Sequence, residues 1–493
     1  MNSGNDRSID HVFAAILAGG SGQRFWPLSR ELKPKQLLSM FGQESLISQA
    51  VRRILPFAGD ADHVTIVTNE RLFDELRNHL TAQQDARLHQ VTYIQEPIAR
   101  NTAPAIALAA AIFEAADPDA VMVVLPSDHI LEDGEVWASC IGAAVRAAND
   151  GYLVTIGITP TRPETGYGYI MAGTALPEFA VGTVTPHVVE RFVEKPDLPT
   201  AERFLESSEY FWNAGIFVMR ASRVLEELEA AGGDGVRIAD AARWIAAQAP
   251  RDRNGDEARN RFEALKPTSI DTAVMERSAR VAVIPAPLDW SDVGSLLALE
   301  DVVEPDEAGN VRVGRGVDVD STDSVVYSTD RLVATLGVKD IIVVDTTDAT
   351  LVLDKSRAQD VRQVVEALKV LGADEIVQPK ASLRPWGSWT SLLAAPGYQI
   401  KMIEVNPGAR LSLQRHQHRS EHWIFVSGSA LVTRDDELLR LHANESVFLP
   451  VGSVHRLENI GEDTLRFIEV QVGEYLGEDD IVRLLDDWDR NDR

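Results

Sequence analysis

The stretch LSLQRHQHRSEHW, residues 411–423, holds three histidines and a glutamate within thirteen positions. Imidazole and carboxylate groups suit Zn²⁺ and other divalent first-row metals. In a strand alternate side chains share a face, so Gln414 and His416 lie together and His418 extends their row toward the strand end. The single cysteine, Cys140, excludes a thiolate-rich cluster. We therefore expect a metal site built from nitrogen and oxygen ligands.

A second set of residues, near the N-terminus, is suited to an anion. The stretch AAILAGGSGQRFWPLSRELKPKQ places Gly19, Gly20 and Gly22 after an apolar strand, with Arg24 and Lys35 beyond them. Glycines let backbone N–H groups approach an anion, and the basic side chains supply charge to phosphates. No Walker A sequence and no GxGxxG fingerprint is present, so common P-loop and dinucleotide folds are not indicated.

Charged residues also follow apolar strands elsewhere. VMVVLPSDH ends in Asp128, and ligands of open α/β sheets bind beyond the carboxyl ends of strands, where a carboxylate can hold Mg²⁺. RFVEKP carries Glu194 and Lys195 side by side. Adjacent strand residues point to opposite faces, so both reach one ligand only if the strand ends there, as Pro196 suggests.

The elements that must position these residues fall into three expected domains. Alternating short strands and helices predict an α/β domain over 1–299, with a parallel sheet covered by helices on both faces. Residues 300–375 predict a β-rich, solenoid-like segment that closes with the helix RAQDVRQVVEALKVL. Residues 376–493 predict a compact β-barrel or jelly roll followed by an acidic helix, EDDIVRLLDDWDR.

Composition narrows the partners. Acidic residues outnumber basic ones by 75 to 48, giving a formal charge of −27, which argues against binding nucleic acid or an anionic membrane. The polar start MNSGNDRSIDH lacks the apolar core of a secretory signal, so we expect a cytoplasmic protein. Strand edges in the β-rich segment would suit pairing of subunits into a homodimer.

The N-terminal two-thirds resembles the sugar-phosphate nucleotidylyltransferases, above all the mannose-1-phosphate guanylyltransferases. The motifs are LAGGSGQRFWPLSR, KPKQ, EPIARNTAPAIALAA, LPSDH, TGYGYI, FVEKP, WNAGIF and DWSDVGS. The resemblance implies a Rossmann-like nucleotide-diphospho-sugar transferase fold. It also implies attack of mannose 1-phosphate on the α-phosphorus of GTP, with release of pyrophosphate.

The same resemblance implies roles for particular residues. Mg²⁺ would be held by Asp128 and Asp292. Hexose contacts are expected from Gly168, Glu194 and Asn213, with Lys195 on the sugar phosphate. The nucleotide is expected to contact Leu17, Ala18, Gly19, Gly20, Gly22, Arg24, Lys35, Arg100 and Asn101, the last two facing the base.

The C-terminal region resembles the cupins. Their first motif, laid from Gly408, assigns metal ligands to Gln414, His416 and Glu421, a spacing that disfavours His418. Their second motif, PVGSVHRLEN, adds His455. A Gln, His, Glu, His set also resembles the phosphomannose isomerases.

The whole chain therefore resembles bifunctional enzymes that add interconversion of mannose 6-phosphate and fructose 6-phosphate. A zinc ion, or another transition metal such as Co²⁺, would polarise the sugar oxygens during proton transfer through an enediol. Arg419 is expected to contact an anion. The proton acceptor stays open among His418, Glu458 and Arg419.

Three alternatives remain. The cupin could be a regulatory sugar-phosphate module of a guanylyltransferase with no isomerase activity. The protein could be a non-catalytic sensor of nucleotide sugars, although Arg24, Lys35, Asp128, Lys195 and Asp292 argue against that. The nucleotide or the sugar could also differ from GTP and mannose 1-phosphate.

Overall fold

The protein is described by a computed structural model that covers residues 11–485, except 21, 41, 43, 84, 133 and 301. The chain forms two compact units. The first takes in residues up to 74, 85–346 and 350–376, and the second takes in 75–84, 347–349 and the chain from 377. The β-rich segment groups with the first unit, so its expected separation at residue 300 stays a prediction.

A nine-stranded sheet forms the centre of the first unit. The strands before residue 300 are β1 Val12–Leu17, β2 Val64–Asn69, β3 Thr92–Glu96, β4 Val121–Pro126, β5 Ile130–Leu131, β6 Leu153–Ile158, β7 Gly168–Ala175, β8 His187–Glu194, β9 Tyr210–Arg220, β10 Val281–Ala286 and β11 Trp290–Ser291. The helices are α1 Leu46–Ile54, α2 Glu70–Thr81, α3 Thr102–Ala116, α4 Glu135–Asn149, α5 Leu198–Ser207, α6 Ala221–Ala231, α7 Asp234–Ala246 and α8 Asp256–Glu263.

The sheet is mixed, and the prediction of a parallel sheet is wrong in part. Its order is β3-β2-β1-β4-β9-β6-β10-β8-β7, and the first four of these strands run parallel. Strand β9 lies antiparallel between β4 and β6. A strand buried on both faces shows the same apolar run in either direction, so the sequence carried no sign of this reversal.

Helix α3 confirms the interpretation of the alanine-rich stretch as a packed core helix. Asn101 caps it through a hydrogen bond from the Thr102 N–H to the Asn101 carboxamide oxygen, 2.8 Å long. Its alanines are buried among residues of α6 and α7. Small side chains let neighbouring helices approach closely, so the alanines of α3 have a packing role. Any residues of this helix that take part in chemistry must lie at its N-terminal end.

The β-rich segment and its closing helix have the predicted solenoid-like form. The elements are β12 Val311–Val313, β13 Gly316–Val319, β14 Val325–Ser328, β15 Val333–Leu336, β16 Ile341–Asp345, β17 Thr350–Asp354 and α9 Val361–Leu371. Successive strands alternate between two small parallel sheets, one of β12, β14 and β16 and one of β13 and β15. Strand β17 then pairs antiparallel with β16.

Two antiparallel sheets form the second unit, as expected for a jelly roll. The strands are β18 Ala381–Arg384, β19 Gly387–Ala395, β20 Tyr398–Val405, β21 Leu413–His416, β22 Arg419–Ser427, β23 Ser429–Arg434, β24 Glu437–His442, β25 Ser446–Leu449, β26 His455–Asn459, β27 Leu465–Gly473 and β28 Ile481–Leu485. One sheet has the order β18-β19-β20-β27-β22-β25 and the other β24-β23-β26-β21-β28. Trp423, Phe425 and Phe467 lie in the core of this unit.

The expected C-terminal helix is wrong over residues 481–485, which form β28. This strand pairs antiparallel with β21, the strand that carries His416. Pairing satisfies the exposed backbone edge of β21, and this tertiary gain outweighs a helical preference that periodicity alone suggested. Before it, Glu478–Asp480 form a short 3₁₀ turn. Residues 486–490 of the predicted helix lie outside the described residues. No helix among the described residues is long and apolar enough to cross a membrane.

Asn459, the last residue of PVGSVHRLEN, is fully buried and has a structural role. Its amide donates to the carbonyls of Val405 and Asp463, both at 2.9 Å, and its oxygen accepts from Gly461 N–H at 2.9 Å. We expect Asn459→Ala to lower the stability of the second unit by about 2–4 kcal/mol, because these backbone groups lose their partner.

The change in stability is measured by urea unfolding followed through tryptophan fluorescence. The exposed Glu462, in the same loop, gives the matched control Glu462→Ala, for which we expect a shift within about 0.5 kcal/mol. Equal midpoints for both variants would contradict the role assigned to Asn459.

Candidate active sites

A cavity of about 510 Å³ opens at the carboxyl ends of strands in the first unit. The predicted residues that line it are Leu17, Gly19, Gly20, Asn101, Asp128, Gly168, Glu194, Asn213 and Asp292. Its position matches the rule that open α/β sheets bind ligands beyond their strand ends. The volume lies in the range of small-molecule sites.

A short antiparallel pair brings the two predicted magnesium ligands to one wall of this cavity. Strand β5 begins two residues after Asp128, and β11 ends one residue before Asp292. The two strands pair through Trp290 with Leu131 and Ser291 with Ile130. The distant motifs LPSDH and DWSDVGS are therefore neighbours in the fold.

Lys35 joins these two segments. Its buried ammonium group donates to Asp128 Oδ2 at 2.9 Å and to the backbone carbonyl of Asp292 at 2.6 Å. Gly22, with φ of +58°, makes room for it, because a Cβ there would lie 2.5 Å from Lys35 Cβ. Lys35 and Gly22, both part of the predicted anion-binding loop, therefore pack directly against each other.

The charge of Lys35 keeps Asp128 ionised. Burial alone would raise the pKa of Asp128, but Lys35 and the other polar neighbours outweigh burial and hold the pKa below its usual value. The Asp128 side chain still exposes 36% of its surface to the cavity. A carboxylate that is charged and accessible within a walled cavity fits a divalent cation.

Asp292 is fixed by its neighbours. Tyr167 donates to Asp292 Oδ1 at 2.5 Å, and burial together with the Asp292 charge raises the pKa of Tyr167, which keeps it a neutral donor. The next residue, Val293, is buried and has φ of +48°. A β-branched residue in this region is strained, and the surrounding packing maintains that strain beside the carboxylate.

The predicted ending of the strand at Glu194 is confirmed. Strand β8 stops at Glu194, and Lys195 takes φ of +49°, which turns its side chain back to contact the Glu194 carboxylate. Gly168 allows Glu194 into the cavity, since a Cβ at Gly168 would lie 2.7 Å from Glu194 Oε2. Lys195 is exposed and is not one of the lining residues.

The other predicted nucleotide contacts have mixed positions. Ala18 is buried. Its N–H donates to the Val67 carbonyl, and its carbonyl accepts from the side chains of Gln36 and Thr68. It can therefore contact a ligand by packing but has no free backbone group to bind one. Arg24 is exposed, on a short 3₁₀ turn after the glycines.

The prediction that Arg100 faces the base is not supported by its contacts. Its guanidinium donates to the carbonyls of Phe262 and Glu263, at 3.0 and 2.9 Å, and so caps the C-terminal end of α8. Arg100 is also not among the residues lining the cavity. The positive charge complements the negative end of the helix dipole, which explains why this arginine prefers the helix to the cavity.

Sequence reasoning missed two carboxyl groups that line the cavity, the buried Glu96 and the half-buried Asp271. Burial raises the pKa of Glu96 to about 7, and burial with the charge of Glu194 raises the pKa of Asp271 to about 6. Glu96 is the last residue of β3, so the rule that sites follow strand ends could have found it. Asp271 does not follow a strand, so this rule could not have identified it.

The second unit brings His416, Glu421 and His455 into one buried cluster whose ligand atoms all lie within 4.8 Å of one another. His416 Nε2 lies 3.0 Å from Glu421 Oε1, and His455 Nε2 lies 3.7 Å from Glu421 Oε2. His418 is excluded from it: the side chain is 57% exposed and its Nδ1 lies 2.7 Å from Asp480 Oδ1.

The cluster fits a transition metal. His455 Nδ1 lies 3.1 Å from the Ser453 carbonyl, which places the proton on Nδ1 and leaves the Nε2 lone pair for a metal. That buried Nε2 has no hydrogen-bond partner among the described residues. Burial also lowers the pKa of His455, which favours the neutral form that binds metals.

Glu421 supplies the negative charge of the cluster. Burial would raise its pKa, but close contact with His416 and the positive charge of Arg419 hold the pKa at about 2. Arg419 is itself buried and donates to Glu421 Oε1 at 3.3 Å and to the Gly477 carbonyl at 2.9 Å.

A small cavity of about 70 Å³ adjoins this cluster. It is lined by Gln414, Arg419 and Glu421 and by three further basic residues, Arg384, Lys401 and Arg483. The Gln414 oxygen accepts from Ser412 Oγ at 2.9 Å, so its part as a fourth ligand stays a prediction. Several cations beside a metal site suit a phosphorylated substrate.

Comparisons with known proteins match almost the whole chain. Residues 13–309 match the family model described as nucleotidyl transferase, 314–368 the mannose-phosphate isomerase/GMP-like β-helix domain, and 372–487 the mannose-6-phosphate isomerase C-terminal domain. The xanthan biosynthesis protein XanB of Xanthomonas campestris is 44% identical over 98% of this chain and 100% of its own length.

Two further relatives cover both chains almost completely. The alginate biosynthesis protein AlgA of Pseudomonas aeruginosa is 43% identical over 97% of each chain. The mannose-1-phosphate guanylyltransferase of Escherichia coli K12 is 41% identical over 97% of this chain and 99% of its own.

A crystal structure from Thermus thermophilus, named mannose-1-phosphate geranyltransferase, is 32% identical, with a TM-score of 0.62 over 73% of this chain and 99% of that one. Full-length similarity and the matched domains agree with the two centres described above. The chain belongs to the family of enzymes that join a mannose-1-phosphate guanylyltransferase to a C-terminal mannose-6-phosphate isomerase domain.

Proposed function

We propose that the cavity of the first unit transfers GMP from GTP to mannose 1-phosphate, with GDP-mannose and pyrophosphate as products. The observation that carries this is the buried Lys35 ammonium group held between Asp128 and the Asp292 backbone, directly behind two carboxylate residues that line the cavity. A buried cation beside the cavity, together with Glu194 as a hydroxyl acceptor within it, fits a sugar phosphate.

The reaction joins two anions, so the protein must reduce their repulsion. A phosphate oxygen of mannose 1-phosphate forms a bond to the α-phosphorus of GTP while the bond from that phosphorus to the bridging oxygen of pyrophosphate breaks. Lys35 and Arg24 supply positive charge, and the Gly19 and Gly20 backbone lets the phosphates approach closely. Asp128 and Asp292 would hold Mg²⁺, which neutralises phosphate charge when bound.

The nucleotide and sugar then occupy different parts of the cavity. Leu17, Gly19, Gly20 and Asn101 line the cavity and would contact the nucleotide. Gly168, Glu194 and Asn213 lie on the side of β7, β8 and β9, where the hexose would bind. Lys195 would reach the sugar phosphate from the strand end.

We propose that the second unit interconverts mannose 6-phosphate and fructose 6-phosphate. His416, Glu421 and His455, with Gln414, would hold Zn²⁺ or Co²⁺, which polarises the sugar oxygens when bound. Arg419 lies close enough to Glu421 to fix the orientation of that carboxylate, and the neighbouring basic side chains would bind the phosphate. A regulatory module without isomerase activity is the competing function.

A cytoplasmic location, a homodimer and the three domain boundaries remain predictions from the sequence. Guanine and mannose as the preferred base and sugar are supported by the names of the relatives. A panel of nucleoside triphosphates and hexose 1-phosphates, assayed by pyrophosphate release, tests that preference directly.

We expect Lys35→Met to reduce pyrophosphate release from GTP and mannose 1-phosphate by roughly 10²- to 10³-fold, because a preorganised cation beside the phosphates is lost. Isomerisation of mannose 6-phosphate should stay within twofold of the parent. Both rates are measured on the same preparation, and Lys266→Met at an exposed position is the control. Equal loss of both activities would contradict two independent centres.

We expect His416→Ala to lower isomerisation by more than roughly 10²-fold and to reduce bound Zn²⁺ or Co²⁺, because a ligand is removed. His418→Ala is the matched control and should keep its metal, since His418 lies outside the cluster. Metal content is measured by elemental analysis after dialysis, and fructose 6-phosphate by a coupled assay. Metal loss in the His418 variant, with retention in the His416 variant, would reverse the assignment.

Chelation provides a further prediction. Treatment with EDTA followed by desalting should stop isomerisation, and added Zn²⁺ or Co²⁺ should restore it. If metal-loaded protein forms no fructose 6-phosphate with several metals, the second unit is a binding module instead.

A further inference from the structure

Asp271 lies at the edge of the part of the cavity assigned to the hexose. It begins a short π-helical turn, Asp271–Met275, and lines the cavity together with Asn213 and Glu194. Ile270, before it, is buried, as are Val274 and Met275 after it. The carboxylate is therefore held by a segment that is anchored in the core on both sides.

Hydrogen bonds connect Asp271 to the sugar residues already named. Asn213 Nδ2 donates to Asp271 Oδ1 at 2.8 Å. The Asn213 oxygen in turn accepts from Thr155 Oγ1 at 2.8 Å and from Gly215 N–H at 3.2 Å. The acceptor of Asn213 is thus occupied by protein donors, and Asn213 can offer a hexose only its remaining N–H.

The carboxylate of Asp271 has room for more donors. An ionised carboxylate can accept about four hydrogen bonds. In the described part of the protein, Asn213 is the only side chain that donates to it, and the backbone N–H of Asp271 is a second donor. An acceptor that faces a cavity with spare capacity suits a ligand rich in hydroxyl groups.

Electrostatic repulsion between the carboxylates of Asp271 and Glu194 is unfavourable when no such ligand is bound. Glu194 lines the same part of the cavity, and burial and the Glu194 charge both act against ionisation of Asp271, with Lys195 as a partial counter-charge. Two carboxylates on one wall repel each other, and a packed core gains nothing from them. Hydroxyl donors from a sugar would relieve this repulsion.

We propose that Asp271 accepts a hydrogen bond from a ring hydroxyl of the hexose of mannose 1-phosphate and so helps to determine which hexose is accepted. The inference rests on the proposed guanylyltransferase function. It adds a residue that no strand end or sequence motif had marked as functional. It also gives a reason for a second carboxylate beside Glu194 in the wall of the cavity.

Asp271→Asn separates this role from a structural one. The asparagine oxygen can still accept from Asn213, so the chain from Thr155 to residue 271 is preserved, whereas the charge and part of the acceptor capacity are lost. We expect the KM for mannose 1-phosphate to rise about 10- to 100-fold, as is typical of losing a hydrogen bond to a charged group. The KM for GTP should change by less than twofold, and the melting temperature should not fall.

The matched control is Glu276→Gln, one residue beyond the same π-helical turn and exposed, which should leave both KM values unchanged. Mannose 1-phosphates lacking one hydroxyl at a time then identify the contact. For one of them the difference between the parent and Asp271→Asn should shrink to less than twofold, because the hydroxyl that Asp271 binds is absent.

An unchanged KM for mannose 1-phosphate in Asp271→Asn, with an active parent, would overturn the inference alone. So would a KM increase that persists with every deoxy substrate, or one accompanied by a lower melting temperature, since either indicates a structural role. A parent that releases no pyrophosphate would overturn the proposed function and this inference together.

Discussion

The first unit depends on a single buried ammonium group. Lys35 reaches the side chain of Asp128 and the backbone of Asp292, residues that are far apart in sequence and belong to different motifs. Without that positive charge, Asp128 would be a half-buried carboxylate without the lysine that keeps it ionised. The close packing of Gly22 on Lys35 explains why the glycine loop and the lysine occur together: a side chain at that position would displace the lysine.

The second unit places its buried carboxylate beside one arginine and two imidazoles. Its carboxylate, Glu421, is paired with Arg419 and faces two imidazoles. The chain carries a formal charge of −27, so each centre must assemble its positive charge locally, from a lysine in one case and from an arginine beside the proposed metal ligands in the other. The two centres therefore share an electrostatic principle although their folds differ.

Much of this arrangement was predictable from sequence because it depends on local pattern. The strand ending at Glu194, the solenoid-like segment and the preference for His416 over His418 all follow from alternation, turn residues and motif spacing. The direction of β9 was not predictable, because a buried apolar strand looks the same in both directions. Strand β28 was missed because its pairing with β21 is a tertiary effect that overrides local preference.

Among site residues, the failures have a common physical cause. Arg100 was expected at the base because of its motif, but the carbonyls at the end of α8 provide a closer partner. Asp271 was overlooked because its place in the cavity is set by the packing of Ile270, Val274 and Met275, none of which marks a functional position. For both residues, contacts between segments that are distant in sequence determine where the side chain lies.

The pairing of β28 with β21 links the edge of the barrel to the proposed metal site. His416 is the last residue of β21, and its backbone register partner is Ile481, the first residue of β28. When that edge opens, the strand bearing the imidazole loses one of its two neighbours, so local fraying and release of an ion held by His416 should occur as one event. Metal retention would then report on the edge of this sheet more sensitively than the melting of the whole unit does.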